Sequence, residues 1–178
     1  LDELNAANKL LSEVREELVS GKVKFDKSLQ VGIMIEIPSA ATISDILADS
    51  CDFFSIGTND LMQYMLAVDR GNEHVAHLYE PSHPALIRVL KQIVENSDKK
   101  KQPLSICGEL AGDPYFVSLL IGLGLRSLSV SPNIVPAIKY QIRNLSLKET
   151  ETLATEVLLM TDSDAILERL KAFYESKQ

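Results

Sequence analysis

The chain has 178 residues, of which 46% are hydrophobic and 24% are charged, and this composition is typical of a soluble globular domain. A formal net charge of −7 argues against nucleic acid as the main partner, although a local site can still attract a small anion. No apolar run is long enough to cross a membrane, and no secretory signal is recognisable. The two cysteines, Cys51 and Cys107, have no metal-binding or disulfide spacing. Because no secretory signal is recognisable, we expect a reducing, cytoplasmic compartment, and because no apolar run is long enough, we expect no membrane insertion.

The hydrophobic pattern predicts an α/β fold in which four strands are each followed by a helix. A helix over residues 3–19 precedes the strands. The strands span residues 31–37, 53–57, 104–107 and 127–131. Their continuous apolar runs are typical of a parallel sheet that is covered on both faces. Strict alternation of strands and helices indicates right-handed parallel crossovers. Ser39 is predicted to cap the helix over residues 40–48.

The alternation ends at about residue 146, where two successive helices form a tail. Ser146 and Glu149 are typical of a capping box at the start of the first of these helices. The chain begins with Leu1, so we expect that further sequence precedes it and that its function belongs to a longer protein.

Polar residues that can carry chemistry follow three of the four predicted strands. These residues are Glu36, the pair Asn59 and Asp60, and Cys107. On its own, the Asn-Asp pair is typical of a turn and of the N-cap of the next helix. Sites in α/β folds lie at the carboxyl ends of the strands, so the convergence of these residues favours a functional site.

Glu36 and Asp60 indicate a site for a hard cation. A carboxylate at the end of an apolar strand is costly unless it is paired or binds a metal. Two carboxylates without cysteine or histidine ligands suit Mg²⁺, which retains water and phosphate oxygens. The alternative for Glu36 is a salt bridge with a buried arginine or lysine.

Arg70 and Cys107 each allow two interpretations. The guanidinium of Arg70 matches phosphate geometry, but the residue could equally be an exposed loop arginine. The thiol of Cys107 could donate a proton or act as a nucleophile, or it could be a buried structural cysteine, as we expect for Cys51. The histidines are interpreted as surface or capping residues: His74, His77 and His83.

Three long motifs resemble those of the PEP-utilising enzymes. They are GIMIEIPSA at residues 32–40, DFFSIGTNDL at 52–61 and CGELAGDP at 107–114. LAVDR at residues 66–70 and PSHPA at 81–85 make the chain similar to Enzyme I of the PEP-dependent phosphotransferase system. The resemblance covers nearly the whole chain and keeps the motif order.

This resemblance implies a PEP-binding TIM (β/α)8 barrel that transfers the phosphoryl group of PEP to a histidine on a separate N-terminal domain. The phosphate then passes to the carrier protein HPr, and pyruvate is released. By resemblance, Glu36 and Asp60 bind Mg²⁺, and Asn59, Asp60 and Arg70 bind the PEP phosphate. Cys107 is implied to be the acid that protonates the enolate carbon. This chemistry depends mainly on positioning and on charge stabilisation.

The chain departs from the family pattern at Met62, where threonine is common, and in its length. Four βα units are half of the eight in a TIM barrel, so residues 1–178 are interpreted as the C-terminal half-barrel, with the helical tail from about residue 146. An open half-barrel exposes unpaired strand edges, so we expect self-association, with a homodimer favoured by the resemblance. We also expect this chain alone not to turn over PEP.

Other enzyme classes remain as alternatives. PEP synthase and pyruvate phosphate dikinase belong to the same superfamily, and a regulatory Enzyme I paralogue of the nitrogen branch would share these motifs. A metal-dependent aldolase or lyase on a similar barrel would not need Cys107.

Overall fold

The computed structural model describes residues 1–177 and shows a small parallel sheet surrounded by helices. The described part contains ten α-helices: α1 Asp2–Ser20, α2 Pro38–Thr42, α3 Ser44–Leu47, α4 Thr58–Leu66, α5 Pro84–Lys100, α6 Glu109–Gly112, α7 Pro114–Leu123, α8 Val135–Arg143, α9 Leu147–Leu159 and α10 Ser163–Glu175. Within residues 1–177, every helix is too short or too polar to span a lipid bilayer.

The sheet has three parallel strands in the order β1-β2-β3: β1 Ile33–Ile35, β2 Phe54–Gly57 and β3 Leu104–Cys107. In register, Ile35 lies opposite Ile56, and Gly57 lies opposite Cys107. The parallel arrangement follows from the helices that connect successive strands. The α/β class and the first three predicted strands are therefore confirmed.

The fourth predicted strand, over residues 127–131, is reduced to one bridge between Leu128 and Ile106. Ile106 N–H donates to the Ser127 carbonyl at 3.0 Å, and Ser129 N–H donates to the Ile106 carbonyl at 2.8 Å. Pro132 begins a short 3-10 turn directly afterwards, and proline has no N–H with which to extend a ladder. The segment follows the sheet direction but does not form a full strand.

The two faces of the sheet differ in how well they are covered. Ile35, Phe54, Ile56 and Ile106 are fully buried on the face toward the helices, where α5 and α7 supply apolar partners such as Leu90, Phe116 and Leu120. The opposite face carries Met34, which is 49% exposed, and the half-buried Ser55 and Ser105. Alternate residues of a strand point to opposite faces, so the second face is open in this chain.

One predicted helix cap is wrong, and a second has the predicted position but not the predicted hydrogen bonds. Ile37, not Ser39, is the N-cap of α2, because Pro38 occupies the first helical position, which suits its fixed φ and missing N–H. Ser146 is the N-cap of α9, but its side chain makes no capping hydrogen bond. Glu149 instead pairs with Lys177 at 2.7 Å, so the expected reciprocal capping box does not form.

Side-chain N-caps form at α7 and α5, and the predicted first helix is present. The side chain of Asp113 accepts a hydrogen bond from Tyr115 N–H at 2.9 Å and caps α7. His83 caps α5 in the same way, accepting from Ala85 N–H at 3.2 Å. The predicted first helix forms as α1, although apolar residues of its expected inner face, such as Leu11 and Val14, are exposed.

Candidate functional site

The carboxyl ends of the three strands place Glu36, Gly57 and Cys107 in one row. Gly57 and Cys107 are register partners, and Glu36 directly follows β1. A Cβ added to Gly57 would lie 3.0 Å from Glu36 Oε2 and 2.9 Å from Met34 Sδ. The Glu36 carboxylate therefore lies beside the gap that the glycine leaves. The predicted convergence of strand ends is present, and Gly57 is a member that the sequence reasoning missed.

Asn59 and Asp60 lie in the first turn of α4 and do not cap it. The N-cap is Gly57, so the N-cap interpretation of the Asn-Asp pair is wrong. Asn59 Oδ1 accepts a hydrogen bond from Glu109 N–H at 3.1 Å. An amide side chain whose oxygen is occupied in this way still has two N–H donors on its nitrogen. Asn59 is thus oriented to offer donors to an anion.

Gly108 keeps the second and third strand ends close together. Its φ of +91° lies in the region that favours glycine, and an added Cβ would meet Thr58 Oγ1 and would lie 2.8 Å from Asn59 Oδ1. Thr58 is fully buried, and its hydroxyl donates to the Cys107 carbonyl at 2.7 Å. These contacts fix Asn59 beside the cysteine strand.

Cys107 is half-buried, so it does not have the full enclosure of a purely structural cysteine. Its thiol donates to the Ile56 carbonyl at 3.4 Å and accepts from the Ser55 hydroxyl at 3.8 Å. Both contacts come from β2, whose register partner is β3. The thiol is therefore positioned by its neighbouring strand, and Ser55 is a second member that the sequence reasoning missed.

Arg70 extends from the loop after α4 and approaches Asp60, with 3.9 Å between Nη2 and Oδ1. The side chains are 40% and 45% exposed, and an exposed pair at this distance contributes little to stability. Arg70 is therefore an exposed loop arginine that lies within ion-pair distance of Asp60. Its weak pairing leaves the guanidinium able to bind an anionic ligand.

Tyr79 also reaches this site, and its only sequence signal is that it is an aromatic residue in a loop. Its hydroxyl donates to the Asn59 carbonyl at 3.0 Å. Burial raises the pKa of the Tyr79 phenol, and the positive charge of Arg70 opposes that rise, while the negative charge of Glu109 adds to it. The phenol thus lies among the charged groups of the candidate site.

The carboxylates fit a hard cation that brings most of its own ligands. Among residues 1–177, no group of three or more His, Cys, Asp and Glu side chains is arranged to hold a metal. Glu36 makes no salt bridge within this range, so the alternative of a buried ion pair finds no partner there. Two carboxylates at a partly exposed strand end suit Mg²⁺, because Mg²⁺ retains several waters and usually binds only one or two protein carboxylates.

A pocket of about 740 Å³ adjoins Cys107. Its lining includes Asn59, Cys107, Glu109, Asp113 and Ser129. The pocket therefore lies between the end of β3 and the segment that bridges to it. It provides space beside Cys107 for a small polar ligand.

Cys51 lies outside this site, as expected for a structural cysteine. It precedes β2 and so lies at the opposite end of the sheet. Gln102 Nε2 donates to its carbonyl at 2.9 Å and to its sulfur at 3.2 Å. Burial raises the pKa of the Cys51 thiol, which keeps it neutral. His74 and His77 are exposed in the loop after α4.

Known proteins resemble this chain over most of its length. A phosphoenolpyruvate-protein phosphotransferase from Borreliella burgdorferi is 42% identical over 172 residues, covering 97% of this chain and 30% of the relative. A phosphoenolpyruvate-protein phosphotransferase from Haemophilus influenzae is 48% identical over 149 residues, covering 84% of this chain and 25% of the relative. A third, from Bacillus subtilis, is 38% identical over 175 residues, covering 98% of this chain and 31% of the relative. The chain thus spans less than a third of each of these relatives.

The family described as "PEP-utilising enzyme, PEP-binding domain" matches residues 1–147. This range contains every residue of the candidate site, from Glu36 to the segment beyond Cys107, and it leaves out only α9 and α10. The resemblance seen in the motifs is confirmed: the chain belongs to the PEP-binding domain family of the PEP-utilising enzymes.

Proposed function

We propose that this chain forms the PEP-binding part of a PEP-protein phosphotransferase. In the proposed reaction, the phosphoryl group of PEP moves to a histidine on another domain and then to the carrier HPr, and pyruvate is released. The observation that carries the proposal is the row of Glu36, Gly57 and Cys107, with Asn59 and Asp60 directly beside it. The names of the relatives support this assignment over PEP synthase or pyruvate phosphate dikinase.

In this proposal, Glu36 and Asp60 hold Mg²⁺, which supplies positive charge against the phosphate of PEP. The amide N–H groups of Asn59 and the guanidinium of Arg70 bind the phosphate oxygens, the latter by exchanging its weak pairing with Asp60. Asn59 needs little movement, because its amide oxygen is already held by Glu109 N–H. Preorganised donors of this kind stabilise a transferring phosphoryl group.

Cys107 acts in this proposal as the acid that completes pyruvate. Loss of the phosphoryl group leaves the enolate of pyruvate, whose methylene carbon must take a proton to become a methyl group. The thiol of Cys107 supplies that proton from one side of the pocket, and the resulting thiolate accepts a hydrogen bond from the Ser55 hydroxyl. Solvent then returns the proton to the sulfur.

The proposed architecture is the C-terminal half of a (β/α)8 barrel over residues 1–178, with the helical tail from about residue 146. The open face of the sheet and the exposed apolar residues of α1 support it, because both would be covered by further barrel elements. The proposed reaction uses PEP, a cytoplasmic metabolite, so a cytoplasmic location belongs to the proposal. Self-association as a homodimer belongs to it as well.

The test is a phosphorylation assay on the full-length product of the gene. The purified protein is incubated with labelled PEP, Mg²⁺ and HPr, and both phosphohistidine and pyruvate are measured. We expect acid-labile label on the protein and on HPr, one pyruvate for each phosphoryl group, and loss of both signals with EDTA. Phosphorylation that requires ATP would instead indicate a PEP synthase or a dikinase. Carbon–carbon bond cleavage without phosphoryl transfer would indicate a lyase.

A further inference from the structure

We propose that Tyr79 is a positioning residue that holds the Arg70 loop in place for the phosphate of PEP. This inference rests on the proposed function and adds a residue that the family motifs quoted above do not contain. Its role is to act through Arg70, with the Asn59 carbonyl as its anchor and without contact to the reacting atoms.

The geometry comes from one hydrogen bond between two separate segments. Tyr79 follows a 3-10 turn, Ala76–Leu78, at the far end of the loop that contains Arg70. Its hydroxyl donates to the Asn59 carbonyl at 3.0 Å, and Asn59 lies in the first turn of α4 directly before Asp60. The loop is thereby joined to the helical turn that carries the proposed phosphate and metal residues.

The other hydrogen bonds near Arg70 are local ones within the loop and to the preceding helix. The side chains from Asp69 to His74 are exposed. Arg70 N–H donates to Gln63 Oε1 at 3.2 Å, and Gly71 N–H donates to Asp69 Oδ1 at 2.8 Å, both at exposed positions. Exposed loops of this kind are mobile unless a packed group restrains them. Tyr79 is half-buried and has a rigid ring, so it is suited to that task.

Charges from three elements surround the phenol. They are Asp60 on α4, Arg70 on the loop and Glu109 on α6. A tyrosine hydroxyl has one donor and two lone pairs, so after donating to the Asn59 carbonyl it can still accept from the guanidinium. One oxygen atom, anchored at the Asn59 carbonyl, can therefore restrain the Arg70 guanidinium.

The experiment compares Tyr79→Phe with wild type in the full-length protein, using steady-state pyruvate formation from PEP with Mg²⁺ and with HPr as the phosphoryl acceptor. The substitution removes only the hydroxyl, so we expect KM for PEP to rise about fivefold, as for the loss of one hydrogen bond, while kcat changes less than about twofold. The melting temperature should stay within about 2 °C of wild type. Tyr140→Phe is the matched control, because Tyr140 is 69% exposed, and it should leave KM unchanged.

A double-mutant cycle separates positioning from a general packing effect. If Tyr79 acts through Arg70, then adding Tyr79→Phe to Arg70→Ala should change KM by less than about twofold. An equal KM for wild type and Tyr79→Phe would overturn the inference alone. So would a full fivefold effect in the Arg70→Ala background. A wild-type protein that forms no pyruvate from PEP would overturn the proposed function and, with it, this inference.

Discussion

Gly57→Ala offers a sharp test of the geometry around Glu36. The backbone at Gly57 has φ −87° and ψ 85°, so alanine meets no left-handed strain there. The new Cβ would lie 2.9 Å from Met34 Sδ, 3.0 Å from Glu36 Oε2 and 3.1 Å from Glu36 Cβ. Ordinary carbon contacts lie at about 3.5–4.0 Å, so Glu36 must shift by roughly half an ångström.

The expected cost in stability is small, and the expected effect on the metal is large. Overpacking costs about 1–3 kcal/mol, and the loss of glycine freedom in the unfolded chain offsets about 0.4–1 kcal/mol of it. We therefore expect the melting temperature of the full-length protein to fall by only about 2–4 °C. Mg²⁺ affinity should fall about tenfold or more, as when groups that orient a metal ligand are altered.

Isothermal titration with Mg²⁺ in the presence of PEP measures this effect, and thermal unfolding measures stability. Gly21→Ala is the control, because Gly21 follows α1 with φ −75° and its added Cβ approaches Glu17 O at 3.2 Å, far from the site. Mg²⁺ affinity of Gly57→Ala within twofold of wild type would refute the assignment of Glu36 as a ligand. If Gly57→Ala does not fold, Glu36→Gln tests the same metal ligand, because it removes the charge without adding an atom.

Three further predictions follow from the same geometry. Cys107→Ala in the full-length protein should slow pyruvate release at least about 100-fold, which is the scale of general acid catalysis. The affinity for PEP, measured by equilibrium binding, should be nearly unchanged. Unchanged pyruvate formation would argue for a lyase-type site. Gly108→Ala should lower the free energy of unfolding by about 1–3 kcal/mol in urea titrations, because its φ of +91° is unfavourable for alanine and its Cβ meets Thr58; an unchanged midpoint would show that the backbone adapts freely. The 178-residue chain alone should self-associate in analytical ultracentrifugation and form no pyruvate from PEP; a monodisperse monomer, or turnover, would contradict the half-barrel proposal.

The sequence pattern was sufficient to predict the sheet because its signals are local. Apolar runs marked β1, β2 and β3, and the structure confirms all three. The fourth strand was predicted over residues 127–131, but within this segment only Leu128 forms a β-bridge, and the apolar pattern does not show this. Strand length depends on pairing, which local sequence does not encode.

The site was predictable to the extent that it lies at strand ends. Glu36, Asn59, Asp60 and Cys107 each follow an apolar run, so topology alone brings them together. Whether Asn59 and Asp60 cap α4 depended on where the helix begins, and Gly57 proved to be the cap.

The missed members carry no local signal. Ser55 becomes relevant only through the register of β2 with β3, and Tyr79 only through a hydrogen bond to a residue twenty positions earlier. Gly57 is important because a side chain at this position would crowd Glu36, and only the position of Glu36 in the structure shows this. Long-range contacts decide all three roles.

Anomalous diffraction from crystals of the full-length protein soaked with Mn²⁺ and PEP would locate the metal and the substrate directly. We expect one strong manganese peak within bonding distance of both the Glu36 and Asp60 carboxylates. We also expect phosphate density that contacts Asn59 and Arg70, with the methylene carbon of PEP facing Cys107 Sγ. A peak at other residues, or PEP density away from this edge of the sheet, would contradict the proposed site.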